Sequence, residues 1–169
     1  MNLNRFTIEM ELNAQIIGQM TRGLAQGQAR WKAAPDSWSV LEVVNHLYDE
    51  EIEDFRVGLD LALHRPKEPW PSIDPEGWVT SRRYNERELA ESLSNFQAER
   101  EKSLAWLASL DRPNWDATIQ RTWGRMTAGD ILAAWVAHDL LHMRQLVELK
   151  WALTTAALLP HEVAYAGDW

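Results

Sequence analysis

Pro66, Pro69, Pro71, Pro75 and Gly77 all fall within residues 65–83, between two stretches of helical spacing. Proline lacks the amide hydrogen an α-helix requires, and its ring clashes with the preceding turn, so no continuous helix crosses this segment. A connector of roughly 19 residues therefore divides the chain, and it limits how the flanking helices can be arranged. On its N-terminal side two helices are expected. The first covers residues 4–30, with Phe6, Ile8, Leu12, Ile16, Met20 and Leu24 on one face, although Gly18, Gly23 and Gly27 weaken its second half. The second opens at Ser39-Val-Leu-Glu42, where hydroxyl and carboxylate can each satisfy a free backbone amide, and continues to about Leu63.

Beyond the connector, the spacing of Leu89, Leu93, Phe96, Leu104 and Leu107 predicts a third helix over residues 84–110, closed by Arg112-Pro113. The fourth opens at Thr127-Ala-Gly-Asp130, a second capping pattern, and carries Ile131, Trp135, His138, His142, Gln145 and Leu149 on one broad face to about Leu153. A helix of about 25 residues is about 37 Å long, so a parallel neighbour needs a connector that spans this length. At about 3.3 Å per extended residue, only residues 65–83 have that reach. The expected fold is all-α: a four-helix bundle running up, down, down and up, with the long crossover between helices two and three. At 169 residues the length suits one domain, residues 1–169, with 154–169 as a C-terminal tail packed along the bundle.

Composition narrows the function. The formal charge of −8 argues against a nucleic acid or an anionic membrane as partner, since affinity for phosphates rests on Lys and Arg. The absence of cysteine excludes disulfides, thiolate ligands and a thiol nucleophile from the chain itself. No apolar run approaches the ~20 residues of a membrane span, and the N-terminus lacks a secretory core, so a cytoplasmic location is expected. Ten tryptophans stand against three phenylalanines and three tyrosines. Trp31, Trp38, Trp70, Trp78, Trp115 and Trp123 sit in or beside expected turns, where they can cap the bundle or line a ligand pocket.

His138-Asp-Leu-Leu-His142 sets two imidazoles about one turn apart on the apolar face of helix four, a spacing that can chelate one metal ion. His46, within Val43-Val-Asn-His-Leu47, belongs to the inner side of helix two. Each histidine alone is an ordinary core or boundary residue. Three together form the nitrogen set with which a metal keeps one position open for water or substrate. Asp49 and Glu50, beside and one turn after His46, are the candidates to orient an imidazole or accept a proton, with solvated helix-face carboxylates as the plain alternative. Tyr84 and Arg144 offer anion binding, which an ordinary surface pair explains equally well. His64 lies where an imidazolium complements a helix C-terminus.

Three motifs carry a family resemblance. Trp38-Ser-Val-Leu-Glu-Val-Val-Asn-His46, Gly124-Arg-Met-Thr-Ala-Gly-Asp130 and Ala137-His-Asp-Leu-Leu-His-Met-Arg-Gln145 occur in order across nearly the whole chain. The sequence thereby resembles the DinB-like (YfiT-type) superfamily of metalloenzymes. The resemblance implies an up-down-down-up bundle and frequent homodimers. It also implies a nickel or zinc site on His46, His138 and His142. Family members include transferases that use bacillithiol, mycothiol or glutathione. The expectation is thus a metal-dependent enzyme acting on a small molecule, either a thiol S-transferase borrowing an exogenous thiol or a hydrolase using metal-bound hydroxide. A non-catalytic metal-binding or dimeric binding module is the alternative.

A rival motif uses the same histidines. His138-Asp-Leu-Leu-His142 resembles the zincin HExxH, with Asp139 in the place of the glutamate base and Glu162 as third ligand. The two arrangements separate cleanly: the bundle site requires His46, the protease site Glu162.

Overall fold

A computed structural model of the protein describes residues 1–122 and 124–167, so Trp123 and Trp169 lie outside the described residues. Helix α1 spans Leu3–Thr21, α2 Gln26–Ala29, α3 Val40–Glu50, α4 Arg56–His64, α5 Pro75–Ser81, α6 Leu89–Ser109 and α7 Ala128–Leu158. A π-helical turn, Glu51–Phe55, joins α3 to α4 without a break, so the two form one long element. Both expected capping boxes are present. Ser39 Oγ accepts from the Glu42 amide at 3.1 Å while the Glu42 carboxylate accepts from the Ser39 amide at 2.7 Å, and Thr127 and Asp130 exchange the equivalent pair at 3.0 and 2.8 Å.

Cross-helix contacts set the directions. Arg100 in the middle of α6 reaches the Met10 carbonyl, while Gln97, earlier in α6, lies against Gly18, later in α1, so these helices are antiparallel. Asn45 meets Ser92 and Arg56 meets Ser103, so α3–α4 runs parallel to α6. Asn13 meets Asp139, and Met20 lies beside Val147, so α1 and α7 are parallel. The bundle is therefore up, down, down, up. Its crossover is held by Trp70, whose indole lies against Gly58, where a Cβ would come within 1.9 Å of the ring. The guanidinium of Arg121 stacks on Trp70 at 3.9 Å.

Several boundaries differ from expectation. The first helix ends at Thr21 rather than near residue 30, because Gly23 turns at φ +80° before the one-turn α2. The crossover contains α5, with Asp74 as N-cap and Pro75 in the first turn, where a missing amide hydrogen costs nothing. The chain is not wholly α: Thr118–Arg121 and Gly124–Thr127 form an antiparallel hairpin, β1–β2, leading into α7. Helix α7 runs five residues past Leu153, and most of the tail beyond it is not packed: Leu159 is 74 % exposed and His161, Glu162 and Tyr165 are exposed. No described helix is long and apolar enough to cross a membrane.

The apolar interior falls into two clusters. One gathers Ile17, Val43, Val44, Leu47, Phe96 and Leu146, and the other Met10, Leu59, Leu107, Ile131, Leu132 and Trp135. Between them lies a layer of buried polar side chains from all four long elements: Asn13, His46, Glu51, Arg100, Asp139 and His142. Arg100 is its centre. Its guanidinium donates to both Asp139 oxygens at 2.7 Å, to Glu51 at 2.9 Å and to the Met10 carbonyl at 2.9 Å, while Trp135 Nε1 donates to the same Glu51 oxygen at 2.8 Å. Replacing Arg100 by Met strands two buried carboxylates. The expected loss is about 3–5 kcal/mol of unfolding free energy, read from urea midpoints at pH 7 against Lys102→Met, an exposed control.

Candidate metal centre

The capping box at Ser39 starts α3 immediately after Trp38 and sets His46 two turns in, facing α7. The second box, at Thr127, starts α7 so that His138 and His142 look out from one face, while Asp139, rotated by about 100°, turns inward to Arg100. The result is one cluster: His46 Nε2 lies 3.3 Å from His138 Nε2, and His142 Nε2 lies 3.0 Å from the same atom. Among the described residues, His46, His138 and His142 are the group of potential ligands whose donor atoms all fall within 4.8 Å of one another. His46 and His142 are buried and His138 is half-buried.

The surroundings orient the rings. His142 Nδ1–H donates to Gln145 Oε1 at 2.8 Å, which leaves the Nε2 lone pair aimed at the cluster. Trp38 covers the other side, edge-on to His46 at 4.9 Å and parallel to His142 at 6.3 Å between centroids. Phe55, delivered by the π turn, tilts against His138 at 5.0 Å. Sequence reasoning placed Gln145 only on the helix face, and Phe55 carried no signal because nothing in Glu51-Ile-Glu-Asp-Phe55 marks a π turn.

Protonation does not hold the rings together. Burial, reinforced by the charge of His142, pushes His46 down to about 3. Burial, then the charges of His142, His46 and Arg100, pushes His138 down to about 2. Burial also lowers His142, against the opposing effects of Gln145 and Asp139. Three neutral imidazoles thus point their Nε2 atoms at one spot, and His46 Nδ1 is buried without a partner. Nitrogens bound tetrahedrally at the ~2.0–2.1 Å typical of zinc lie about 3.3–3.4 Å apart, close to the 3.0 and 3.3 Å observed. The donor set fits a divalent ion.

The carboxylates are otherwise engaged. Asp49 accepts from the Tyr84 hydroxyl and pairs with Arg82 at 2.8 Å, so neither Asp49 nor Tyr84 is available to an imidazole or an anion. Glu50 makes no hydrogen bond to a histidine. Its Oε1 is buried without a partner, and burial, then the nearby Asp54 carboxyl, raises it to about 8, so near neutrality it holds a proton instead of accepting one. Asp139 is locked on Arg100 and cannot act as a zincin base, and Glu162, exposed beyond the end of α7, is no part of the cluster. Arg144 pairs with Glu148 on the surface at 2.9 Å, and His64 pairs with Asp60 at the end of α4.

A bundle of this topology with three inward histidines defines a class of helical metal-site scaffold, and comparison with known proteins identifies the family. The model of the DinB superfamily matches residues 10–146, so the chain belongs to that superfamily. Among solved structures it is similar to YfiT from Bacillus subtilis, described as a probable metal-dependent hydrolase with an unusual four-helix bundle topology. The TM-score is 0.79 at 18% identity, over 90% of this chain and 87% of that one. Among curated proteins, no sequence matches.

The shifts give a pH profile for the metal-free protein. His46 and His138 are depressed from 6.5, so their contribution is complete above about pH 6.5 and is lost as pH falls toward their folded values, because the unfolded chain takes up protons first. Glu50 is raised, so its contribution is complete below its ordinary value of 4.5 and is lost as pH rises through about 8. Urea midpoints should therefore fall on acidification below pH 6.5, where the two histidines outweigh Glu50, and fall again from pH 6.5 to about 8, where Glu50 acts alone, levelling beyond that. Glu50→Gln should flatten the limb between pH 6.5 and 8 and steepen the acid one.

Proposed function

We propose that the protein is a metal-dependent hydrolase that holds one divalent ion, zinc or nickel, through Nε2 of His46, His138 and His142. The observation that carries this reading is the convergence of three neutral imidazoles on one point beside a cavity of about 470 Å³ that reaches His142. His46, His138 and His142 would hold a divalent ion without neutralising it, and such an ion would supply the positive charge that lowers the pKa of water and polarises a carbonyl. The chain's own residues do the rest. Gln145 holds His142 in the ligating tautomer, Trp38 and Phe55 keep bulk water from the sides of the cluster, and the cavity receives the substrate. Hydrolysis then breaks an acyl C–N or C–O bond, forms a C–O bond to water and delivers a proton to the leaving group.

Metal-dependent hydrolysis is also the activity attributed to the similar YfiT. Thiol transfer uses the same ligands, but glutathione-type thiols carry carboxylates, and the cavity lining contains Asp36 and Glu148 and neither Lys nor Arg. The geometry favours hydrolysis.

Elemental analysis of purified protein should find about one divalent ion per chain in the wild type and in Glu162→Ala. The expected result is none in His46→Ala or His142→Ala, each confirmed as folded by circular dichroism. Gln145→Leu should retain the ion with affinity lowered about 10–100-fold. A wild type that neither carries nor takes up metal would sink the proposal.

A further inference from the structure

The cavity beside His142 has a charge pattern that bears on what it accepts. Of the three histidines it is lined by His142, beside Trp38 and Gln145, and its lining also includes Asp36 and Glu148. Asp36 precedes α3, is exposed, and has no hydrogen bond or ion pair among the described residues. Glu148 is one and a half turns beyond His142 on α7. Its partner Arg144 is itself three-quarters exposed and is not part of the lining. A pair this exposed leaves the carboxylate field only partly cancelled. Every charged side chain of the lining is thus acidic, in a protein whose formal charge is −8. Lining of one sign draws in ligands of the other, and the indole face of Trp38 adds attraction for a cation.

We infer that the natural substrate carries a cationic group, an ammonium or guanidinium, on the side of the molecule away from the bond that is cleaved. Asp36 and Glu148 select it, and Trp38 packs on the chain between. This rests on the hydrolase reading and deepens it. It places specificity on two residues outside the ligand set, on the α2–α3 loop and the later turns of α7. It also separates the two ends of the substrate: the reacting end, with its carbonyl oxygen, lies toward His142, while the far end meets the carboxylates.

The test uses three hydroxamates, whose head groups chelate metal and whose six-carbon chains differ only at the far end: aminohexanohydroxamate with an ammonium, hexanohydroxamate with a methyl, and adipate monohydroxamate with a carboxylate. Calorimetric titration into zinc-loaded protein, with metal content measured on the same samples, should rank them ammonium, methyl, carboxylate. The extremes should differ by about tenfold at low salt and by less at high salt. In the Asp36→Asn/Glu148→Gln double variant, the ammonium and carboxylate probes should come within about twofold of each other. A flat or reversed ranking on metal-loaded protein, or an unchanged ranking in the double variant, overturns this proposal and leaves the metal reading standing. Absence of binding by all three to metal-loaded protein overturns it together with the open coordination position. Failure to take up zinc overturns both readings at their base.

Discussion

The guanidinium of Arg100 is the constraint on which the rest of the bundle turns. It is 2 % exposed and engages α1 through the Met10 carbonyl, the π turn through Glu51, and α7 through both oxygens of Asp139. A buried ion pair contributes little against a well-packed apolar replacement, but it tolerates no partial removal, because each orphaned charge is costly. That asymmetry makes it a register device. Sliding or rotating α6 or α7 would break several charge-assisted hydrogen bonds at once, whereas the apolar clusters on either side could repack.

The candidate metal centre depends on this register. Asp139 lies between His138 and His142 in sequence, and fixing it on Arg100 fixes which way both imidazoles point. Glu51 does the same for the long second element: held by Arg100 and Trp135, it sets the rotation of α3 and hence the placement of His46. One buried layer thus performs two tasks, with charged groups clamping the helices at the centre and neutral imidazoles meeting nearer the surface. The low-dielectric setting that makes the clamp unforgiving also drives the histidines to their neutral form, the form that binds metal.

Much of the fold was legible from local rules. Two capping boxes marked the starts of the second and fourth long helices to the residue, and the proline-bearing connector implied the parallel crossover that the contacts display. The errors arose where local signals were silent. The π turn over Glu51–Phe55 contains no glycine or proline, and the hairpin before α7 is too short to declare a strand period. The assignment of Asp49 and Glu50 to the histidines failed because proximity along a helix does not reveal who waits on the neighbouring one. Tyr84 and Arg82 claim Asp49, and burial beside Asp54 leaves Glu50 protonated.

The sequence by itself determined the number of long helices, their order and direction, and the identity of three histidines with the spacing to share an ion. Those properties rest on periodicity, on breakers and on caps, all of which act within a few residues. Only the tertiary structure decided that the three Nε2 atoms converge, that Gln145 supplies the orienting hydrogen bond, that Asp139 serves the core rather than catalysis, and that Asp36 and Glu148 line the cavity beside His142. Each of these depends on side chains from different helices meeting across the bundle. Such meetings are set by rotation and register, which a buried guanidinium controls and which no local stretch of the chain encodes.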